Sequence, residues 1–313
     1  HDGPRTVALV GTWQREGRWP VPDDSHTLIE SYGDGWMWSV PSAPGVRHIA
    51  AMVDPQRSSL ARDGSPIDVY RAEIAKTRIF RELAGGASLV DGPRGFDASQ
   101  YRASAYAGEH WLLVGDAGSF IDPLSSAGVK KALASAWLAA IAVHTAVTHP
   151  SLRAEAFEFF SAREEEIEGH LSKESRRFLS AAATDYPRPF WDERSDDDPD
   201  ESSDADGVRR AFDALKASES WAPRRGPDLA IQSRPCVRGN EIVREPHLVS
   251  PAFPRGVRYV RSIDLVALVE LAPATRQVPE LYDRYVQRMG PVPLPDLLFT
   301  VSTALARGWL VSE

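Results

Sequence analysis

Residues 111–129 read WLLVGDAGSFIDPLSSAGV, and this stretch decides the fold. Its first four residues form an unbroken apolar run, which is typical of a strand buried on both faces. The run ends at Gly115-Asp116, a loop that contains Pro123 follows, and residues 126–147 have the spacing of a long helix. The stretch therefore predicts a buried strand that leads through a loop into a helix, as in α/β folds.

The chemistry of this junction suits a flavin. Gly115 lets a ligand approach the backbone, and the Asp116 carboxylate can accept hydrogen bonds from ribityl hydroxyls. The free amides at the helix start favour the anionic edge of a reduced flavin ring. The same amides could instead hold a small anion such as halide or peroxide. The candidate residues for that anion are Ser126, Ala127 and Gly128.

An ordinary strand-loop-helix junction would explain Gly115 and Gly128, but not Asp116 and Pro123 together at this spacing. The stretch resembles the second flavin motif of the superfamily of class A flavoprotein monooxygenases and flavin-dependent halogenases, in which Gly-Asp contacts the ribityl chain. Its centre, residues 120–124, is closer to halogenases than to aromatic hydroxylases. The resemblance implies FAD as cofactor, and the implied contacts are Gly115, Asp116, Pro123, Ala127, Gly128 and Val129.

A second motif lies on a predicted strand, where residues 36–41 read WMWSVP. Alternate side chains of a strand share a face, so Trp36, Trp38 and Val40 form one wall, and we expect Pro41 to end the strand pairing. Such a wall is more often core than a site. It resembles, however, the Trp-x-Trp-x-Ile-Pro signature of flavin-dependent halogenases. In that family the wall is thought to keep organic substrate away from the flavin, so that halide reacts there and hypohalous acid travels to the substrate.

The resemblance implies an FAD-dependent oxidoreductase, and within the superfamily a flavin-dependent halogenase. Such an enzyme uses FADH2, oxygen and halide to halogenate an aromatic or carrier-bound acceptor, and a separate flavin reductase supplies the FADH2. The nearest alternative is an FAD-dependent monooxygenase in which the tryptophan wall only shapes the pocket. An alternative of another class is a non-enzymatic remnant that binds a partner such as a carrier protein, and bound flavin in the purified chain would contradict it.

Three departures from the family pattern limit what can be carried over. No Gly-x-Gly-x-x-Gly occurs, because Gly33-Asp34-Gly35 lacks the third glycine and lies in a predicted hairpin. We therefore expect this chain to be a carboxyl-terminal fragment. The pyrophosphate-binding unit and the family's catalytic lysine would precede His1. We expect the fragment alone to bind FAD poorly and to be inactive. Ser125 stands where tryptophan halogenases have glutamate, which disfavours free tryptophan and leaves phenolic, pyrrolic or carrier-bound acceptors. Val40 in place of Ile is a conservative change.

The fold class is α/β with α+β parts. We expect the later part of a glutathione-reductase-type FAD-binding fold with an antiparallel substrate-side sheet, long helices and a small terminal α+β domain. Strands are predicted at residues 6–13, 26–32, 36–40 and 46–53, and one helix at residues 68–83. The predicted domains are residues 1–110, the substrate-side sheet with its covering helix; 111–190, the flavin strand and two long helices; 191–207, a disordered acidic linker; and 208–313, the small domain, in outline similar to a winged helix.

Two long helices are predicted to bury apolar stripes. The stripe of the first consists of Val129, Leu133, Trp137, Ala140, Ile141 and His144. The stripe of the second, after Pro150, consists of Phe157, Phe160, Ile167, Leu171 and Phe178. In the small domain the predicted helices are residues 208–216, 264–271, 279–288 and 295–306, and the predicted strands are 236–247 and 257–260.

The composition excludes several kinds of function. The net charge is −8, but nine acidic residues lie between Asp192 and Asp206 beside only Arg194, so the remainder is balanced and no nucleic-acid footprint exists. The single Cys236 excludes an internal disulfide and a multi-cysteine metal site, which suits a reducing cytoplasm. No uncharged apolar run of about 18 residues occurs, so no membrane partner is expected. The histidines lack metal-ligand spacing, and Glu164-Glu165-Glu166 suggests a solvated helix face.

Overall fold

The computed structural model describes residues 3–58, 60, 64–195, 204–217 and 221–312. The chain divides into two compact units. Unit 1 comprises His1–Ala146 and Ser151–Asp197, and unit 2 comprises Val147–Pro150 and Asp198–Glu313. An antiparallel sheet and long helices make up unit 1, while unit 2 is a smaller assembly of helices and strands, so the expected mixture of elements is confirmed.

The centre of unit 1 is a sheet of five antiparallel strands. The strands are β1 (Val7–Gln14), β2 (Leu28–Tyr32), β3 (Gly35–Ala43), β4 (Val46–Val53) and β5 (Ser88–Asp97). Their order across the sheet is β2-β3-β4-β1-β5, which confirms the predicted neighbours of the first hairpin. In the register of this sheet Trp36 lies opposite Met52, and Trp38 lies opposite Ala50.

The two faces of the sheet pack against different partners. One face carries Met37, Ile49 and other apolar side chains that pack against helices, and the Tyr70 hydroxyl joins them by accepting from Trp13 Nε1 at 2.9 Å and donating to the Ile49 carbonyl at 2.9 Å. The other face carries Ala8, Trp36 and Met52, which pack against Phe190 and Trp191. Because side chains alternate along a strand, one sheet can thus contribute to two cores.

The predicted single helix at residues 68–83 is wrong, because the structure has two helices there. They are α1 (Pro66–Ala75) and α2 (Ile79–Ala84). The Glu30 carboxylate accepts hydrogen bonds from the backbone N–H groups of Arg78 and Ile79, at 2.7 Å and 2.8 Å. A side chain from the sheet therefore starts a second helix, and the local apolar spacing gives no sign of it.

Strand β5 was not expected from the sequence. Its side chains are exposed except for the half-buried Leu89 and Pro93, and among the described strands it pairs only with β1, at the edge of the sheet. It also contains Gly92, Pro93 and Gly95, residues that weaken a strand pattern. An exposed edge strand of this composition lacks the apolar alternation by which strands are predicted.

Residues 101–120, which include the first part of the flavin motif, contain four strands of two residues each. They are β6 (Tyr101–Arg102), β7 (Ala107–Gly108), β8 (Trp111–Leu112) and β9 (Ser119–Phe120), paired as β6-β9 and β7-β8. The predicted strand buried on both faces is wrong, because Trp111 is 47% exposed and Val114 is half-buried. Within the described residues the only strand beside it is β7, which is too short to cover it.

The first long helix is α3 (Gly128–Thr148), which confirms its position but not its buried face. Val129, Leu133 and Trp137 are 77%, 68% and 60% exposed. The residues that it buries are mainly small or polar, namely Lys131, Ser135, Leu138, Ala139, Ile141, Ala142, Thr145 and Ala146. By length and composition α3 could cross a membrane, but 44% of its most apolar stretch is buried within the protein, and core helices pass the same test.

The second long helix is α4 (Arg153–Asp185), and only part of its predicted stripe is buried. Phe160 is fully buried, whereas Phe178 is 55% exposed. Glu164 is only 1% exposed, so the prediction of a solvated glutamate face is wrong for this residue, although Glu165 and Glu166 are exposed. The buried acid faces polar groups of α3 that the apolar pattern does not indicate.

The predicted disordered linker, residues 191–207, is wrong at both ends. Its start belongs to α5 (Pro189–Asp192), and Arg194 is buried, with its guanidinium 4.1 Å over the Phe190 ring and bonded to the Arg5 carbonyl at 2.6 Å. Its end belongs to α6 (Asp204–Ala217). Residues 196–203 lie outside the described part of the chain.

Unit 2 has an apolar core formed by helices and short sheets. Its helices besides α6 are α7 (Leu265–Leu271), α8 (Val278–Met289) and α9 (Leu294–Ala306), which confirms the predicted positions. Its strands are β10 (Pro223–Arg225), β11 (Ala230–Arg238), β12 (Glu241–Ser250), β13 (Phe253–Val257), β14 (Tyr259–Val260), β15 (Ile263–Asp264) and β16 (Leu310–Ser312). The single strand predicted at residues 236–247 is wrong, because a turn at Gly239, with φ +62°, divides β11 from β12.

Cys236 lies on β11, and its thiol is a poor nucleophile. Burial, together with the nearby Glu245 carboxylate, raises the pKa of Cys236 to about 11. Because the thiolate is the reactive form, this thiol is largely unreactive near neutral pH.

Candidate functional site

The candidate site begins at Gly115, where the backbone must turn sharply after β8. Gly115 has φ +59°, a conformation that L side chains rarely adopt, and a Cβ at this position would lie 3.0 Å from the Ala132 Cβ of α3. Residues 115–117 then form a short 3-10 turn. Glycine is therefore required by both the backbone conformation and the close approach of α3.

Asp116 follows in the turn and presents its carboxylate to solvent. Its side chain is 58% exposed, and the nearest cation is the Lys131 ammonium, 3.8 Å from Oδ1. Its backbone carbonyl accepts a hydrogen bond from the Tyr101 hydroxyl, and the Tyr101 ring stacks on Phe120 with centroids 6.0 Å apart. The turn is thus fixed through its backbone, while the carboxylate oxygens stay accessible to hydroxyl donors.

Asp122 has a different role from Asp116, because it is buried and stabilises the loop. Its carboxylate accepts from the Leu124 N–H at 2.9 Å, and it begins the 3-10 turn at residues 123–125. Burial raises the pKa of Asp122, and the Leu124 hydrogen bond and the Arg194 charge oppose this rise. Pro123 supplies the fixed φ that the first position of such a turn favours, so Asp-Pro shapes the loop.

The backbone amides of the predicted anion site differ in their hydrogen bonds. The Ser126 N–H donates to the Pro123 carbonyl at 2.9 Å, and the Ala127 N–H donates to the Ser125 hydroxyl at 3.4 Å, so these two amides have acceptors within the loop. Binding of an anion at Ser126, Ala127 and Gly128 stays a prediction. No acceptor among the described residues binds the N–H groups of Gly128 or Val129. Nothing lies within 4 Å of a Cβ placed on Gly128, so the start of α3 is open to a ligand.

The side chains of the tryptophan wall differ in how deeply they are buried. Trp36 is 1% exposed and packs in the core, whereas Trp38 and Val40 are half-buried. The indole N–H of Trp38 is buried and has no hydrogen-bond partner in the described part of the protein. Pro41 does not end the strand pairing as predicted, because it lies opposite Arg47 and β3 continues to Ala43.

The fold brings the two motifs together. Trp38 and Trp36 share one apolar cluster with Phe120 and Leu124 of the flavin motif, although the motifs are about 80 residues apart in the sequence. Helix α4 packs against the loop at residues 123–125 and adds Ala182 and Ala183 to the cluster. Side chains of both motifs thus contribute to one apolar cluster.

Three polar residues near this site are not indicated by the sequence pattern. Lys131 and Ser135 lie one helical turn apart on the buried face of α3, and Glu164 lies on α4. The sequence indicates the burial of Lys131 only weakly, because two adjacent lysines are typical of a solvated helix face. The one indication is the spacing of Lys131 from Leu138 and Ala142, which places the three residues on the same face of the helix. Within the described ranges, no three His, Cys, Asp or Glu side chains group as metal ligands.

The comparisons with known proteins find halogenases among the relatives, while no family model matches. The flavin-dependent halogenase rdc2 of Metacordyceps chlamydosporia is 27% identical over 156 residues, which are 47% of this chain and 30% of that protein. The tryptophan 2-halogenase of Chondromyces crocatus is 28% identical over 158 residues, 50% of this chain and 30% of that protein. The matched region is thus less than a third of the length of either relative.

The solved structures show the same fold. The flavin-dependent halogenase CmlS covers 100% of this chain with TM-score 0.77 and 18% identity, and the chain covers 64% of CmlS. The peptidyl tryptophan dihydroxylase QhpG covers 93% of this chain with TM-score 0.62 and 23% identity, and the chain covers 65% of QhpG. About half of this chain is thus similar in sequence to flavin-dependent halogenases, and its fold is that of the halogenase CmlS and of QhpG.

Proposed function

We propose that this chain forms the ribityl-binding and ring-binding side of an FAD-dependent halogenase. The observation that carries the proposal is the position of the exposed Asp116 carboxylate beside the open start of α3, with Trp38 in the same apolar cluster as Leu124 of the connecting loop. Because the chain spans only part of the length of its relatives, the complete activity stays a proposal.

The residues present fit a flavin. A carboxylate that is 58% exposed can accept hydrogen bonds from the sugar-alcohol chain, and the free amides of Gly128 and Val129 can face the electron-rich edge of the ring. The open space at Gly128 gives the ring access to the helix start. When bound, FAD supplies the redox chemistry with oxygen, and the residues of this chain orient it.

Each group has a distinct task in this proposal. Asp116 binds and orients the ribityl hydroxyls, and the Gly128 amide and its neighbour stabilise negative charge, as preorganised donors do. If these two amides hold a halide instead of the ring edge, the halide would bind there rather than at Ser126 or Ala127, whose N–H groups have acceptors within the loop. The half-buried Trp38 excludes water and organic substrate from the ring side of the loop.

The acceptor and partners follow from the same family. We propose an aromatic acceptor, free or carrier-bound, and a flavin reductase that supplies FADH2. Ser125 offers a hydroxyl, which already donates to the Asp122 carbonyl at 2.9 Å, instead of a carboxylate for an ammonium group, so free tryptophan is disfavoured. The single, weakly acidic Cys236 agrees with a reducing cytoplasm as the compartment.

A monooxygenase is the second candidate. It is favoured by the similarity to QhpG, which is named as a peptidyl tryptophan dihydroxylase and matches 93% of this chain. To separate the two, the polypeptide encoded by the complete reading frame is given FAD, a flavin reductase, oxygen and a panel of phenols, pyrroles and carrier-bound acceptors, with and without chloride or bromide. A halogenated product that requires halide supports the proposal, whereas a hydroxylated product that forms without halide supports the monooxygenase.

A partner-binding module is the candidate from another class. The observation that favours it is an open apolar groove of about 710 Å³ in unit 2, between α6 and α9. Its lining includes Val208, Phe212, Leu294, Pro295, Leu298 and Phe299. If the complete polypeptide binds no FAD, this candidate replaces the enzyme.

A further inference from the structure

Lys131 is a buried lysine that contacts residues 115–119, a segment called the flavin turn below. Its side chain is 1% exposed, although it lies in the first turn of α3 next to the exposed Lys130. Burying an ammonium without partners is costly, so a lysine in this position requires specific acceptors. Burial lowers the pKa of Lys131, and the acidic groups of Asp116, Glu164 and Glu168 oppose that shift.

The acceptors are backbone groups of the turn itself. Lys131 Nζ donates to the Gly115 carbonyl at 3.1 Å and to the Ser119 carbonyl at 2.5 Å, and it lies 3.8 Å from the Asp116 carboxylate. One ammonium thus joins the first and last residues of a five-residue segment and faces the carboxylate between them. Such charge-assisted bonds are stronger than those between neutral groups.

Ser135 completes the attachment from one helical turn further along α3. Its hydroxyl accepts from the Gly115 N–H at 3.0 Å, so both backbone polar groups of Gly115 are bound by side chains of the same helix face. Glu164 of α4 faces both residues, and neither of its carboxylate oxygens has a well-formed hydrogen bond in the described part of the protein. The turn is therefore held by α3, with acidic groups on both sides of the ammonium.

We propose that Lys131 is a positioning residue for the flavin turn. Its ammonium holds Gly115 and Ser119 together and orients the Asp116 carboxylate toward the ligand. The role of Lys131 in flavin binding rests on the proposed flavin site. The contacts themselves exist without the ligand, so the positioning can be tested separately from flavin binding.

The test compares Lys131→Met with the matched control Lys130→Met, which changes the exposed neighbour on the same helix. Backbone amide hydrogen exchange is measured by mass spectrometry on the chain without flavin, for peptides that contain residues 115–120 and for peptides from β3 and β4. The N–H groups of Ala117 and Gly118 report on the turn, because they donate to the Val114 and Gly115 carbonyls. We expect Lys131→Met to speed exchange in the turn by about tenfold or more, the effect of losing hydrogen bonds to a charged group, while β3 and β4 change little.

Equal exchange of the turn in both variants would overturn the proposal. Faster exchange spread evenly over the turn and the sheet would also overturn it, because Lys131 would then be only a general contributor to stability. If Lys131→Met does not fold, Lys131→Gln replaces it, since the shorter amide reaches at most one of the two carbonyls. An FAD titration of the same variants is the second readout: no binding by any variant removes the flavin site but leaves the exchange result intact.

Discussion

Replacement of Gly115 by alanine is expected to disrupt the turn that carries Asp116. At φ +59° a residue with a side chain costs about 1–2 kcal/mol more than glycine. The added Cβ also meets the Cβ of Ala132 at 3.0 Å and its Cα at 3.3 Å, and the Cα belongs to the backbone of α3, which cannot easily give way. We therefore expect unit 1 to lose about 2 kcal/mol of stability, which lowers the Tm of a domain of this size by about 4–8 °C.

Gly128 provides the matched control for this substitution. Its φ is not in the left-handed region and nothing lies within 4 Å of a Cβ there, so Gly128→Ala should leave the Tm unchanged or raise it slightly, because alanine favours a helix by up to about 1 kcal/mol. Thermal unfolding is followed by circular dichroism and tryptophan fluorescence on both variants. The reasoning is refuted if Gly115→Ala unfolds within about 1 °C of the wild type, or if both variants lose the same amount.

Three further predictions concern the surroundings of the site. Trp36→Ala removes a side chain that is 1% exposed and should cost about 3–5 kcal/mol by urea unfolding, and a loss below about 1 kcal/mol would show that the wall is not core. Glu30→Ala removes the acceptor for two N–H groups at the start of α2, so we expect a loss of about 1 kcal/mol and faster amide exchange at Arg78 and Ile79, and unchanged exchange would contradict this origin of the helix. Burial raises the pKa of Glu164 above its ordinary 4.5, so the wild type loses stability as the pH rises through the folded-state pKa. Glu164→Gln cannot ionise, and its unfolding free energy relative to the wild type should therefore increase between about pH 4 and about pH 8, whereas a constant difference would contradict the raised pKa.

The elements with strong local patterns could be predicted from the sequence. The strands around Trp36 alternate in the expected way, and the glycines on either side of Asp34 mark the hairpin between them. The helix after Gly128 begins where the loop of the motif ends. In each case the residues that decide the structure are neighbours in the chain, so their pattern is visible without the fold.

The failures share a different cause, because they depend on contacts between distant segments. The break between α1 and α2 is set by Glu30, which lies about 50 residues earlier. The apolar spacing of α3 predicts that Val129 and its stripe are buried, whereas the structure buries Lys131 and Ser135 against residues 115–119. A buried polar contact has no apolar period and was therefore not detectable by that criterion.

The candidate site was predicted in outline and corrected in detail. Lys131, in the first turn of α3, lies 3.8 Å from the Asp116 carboxylate, and residues of the tryptophan wall and of the loop belong to one apolar cluster. The hydrogen bonds of the Ser126 and Ala127 amides could not be anticipated, because they depend on Ser126 adopting φ +52° after the 3-10 turn. The roles of these residues toward a ligand stay predictions.

A flavin titration of this chain tests the central claim most directly. FAD is added to the wild type, to Asp116→Asn and to the control Asp228→Asn, which changes an exposed aspartate of unit 2, and binding is followed by flavin fluorescence. We predict weak but saturable binding by the wild type and the control, and a loss of about tenfold or more in affinity for Asp116→Asn, because a charged acceptor of hydroxyl hydrogen bonds becomes neutral. Equal affinity of all three proteins would contradict the claim that this carboxylate holds the cofactor.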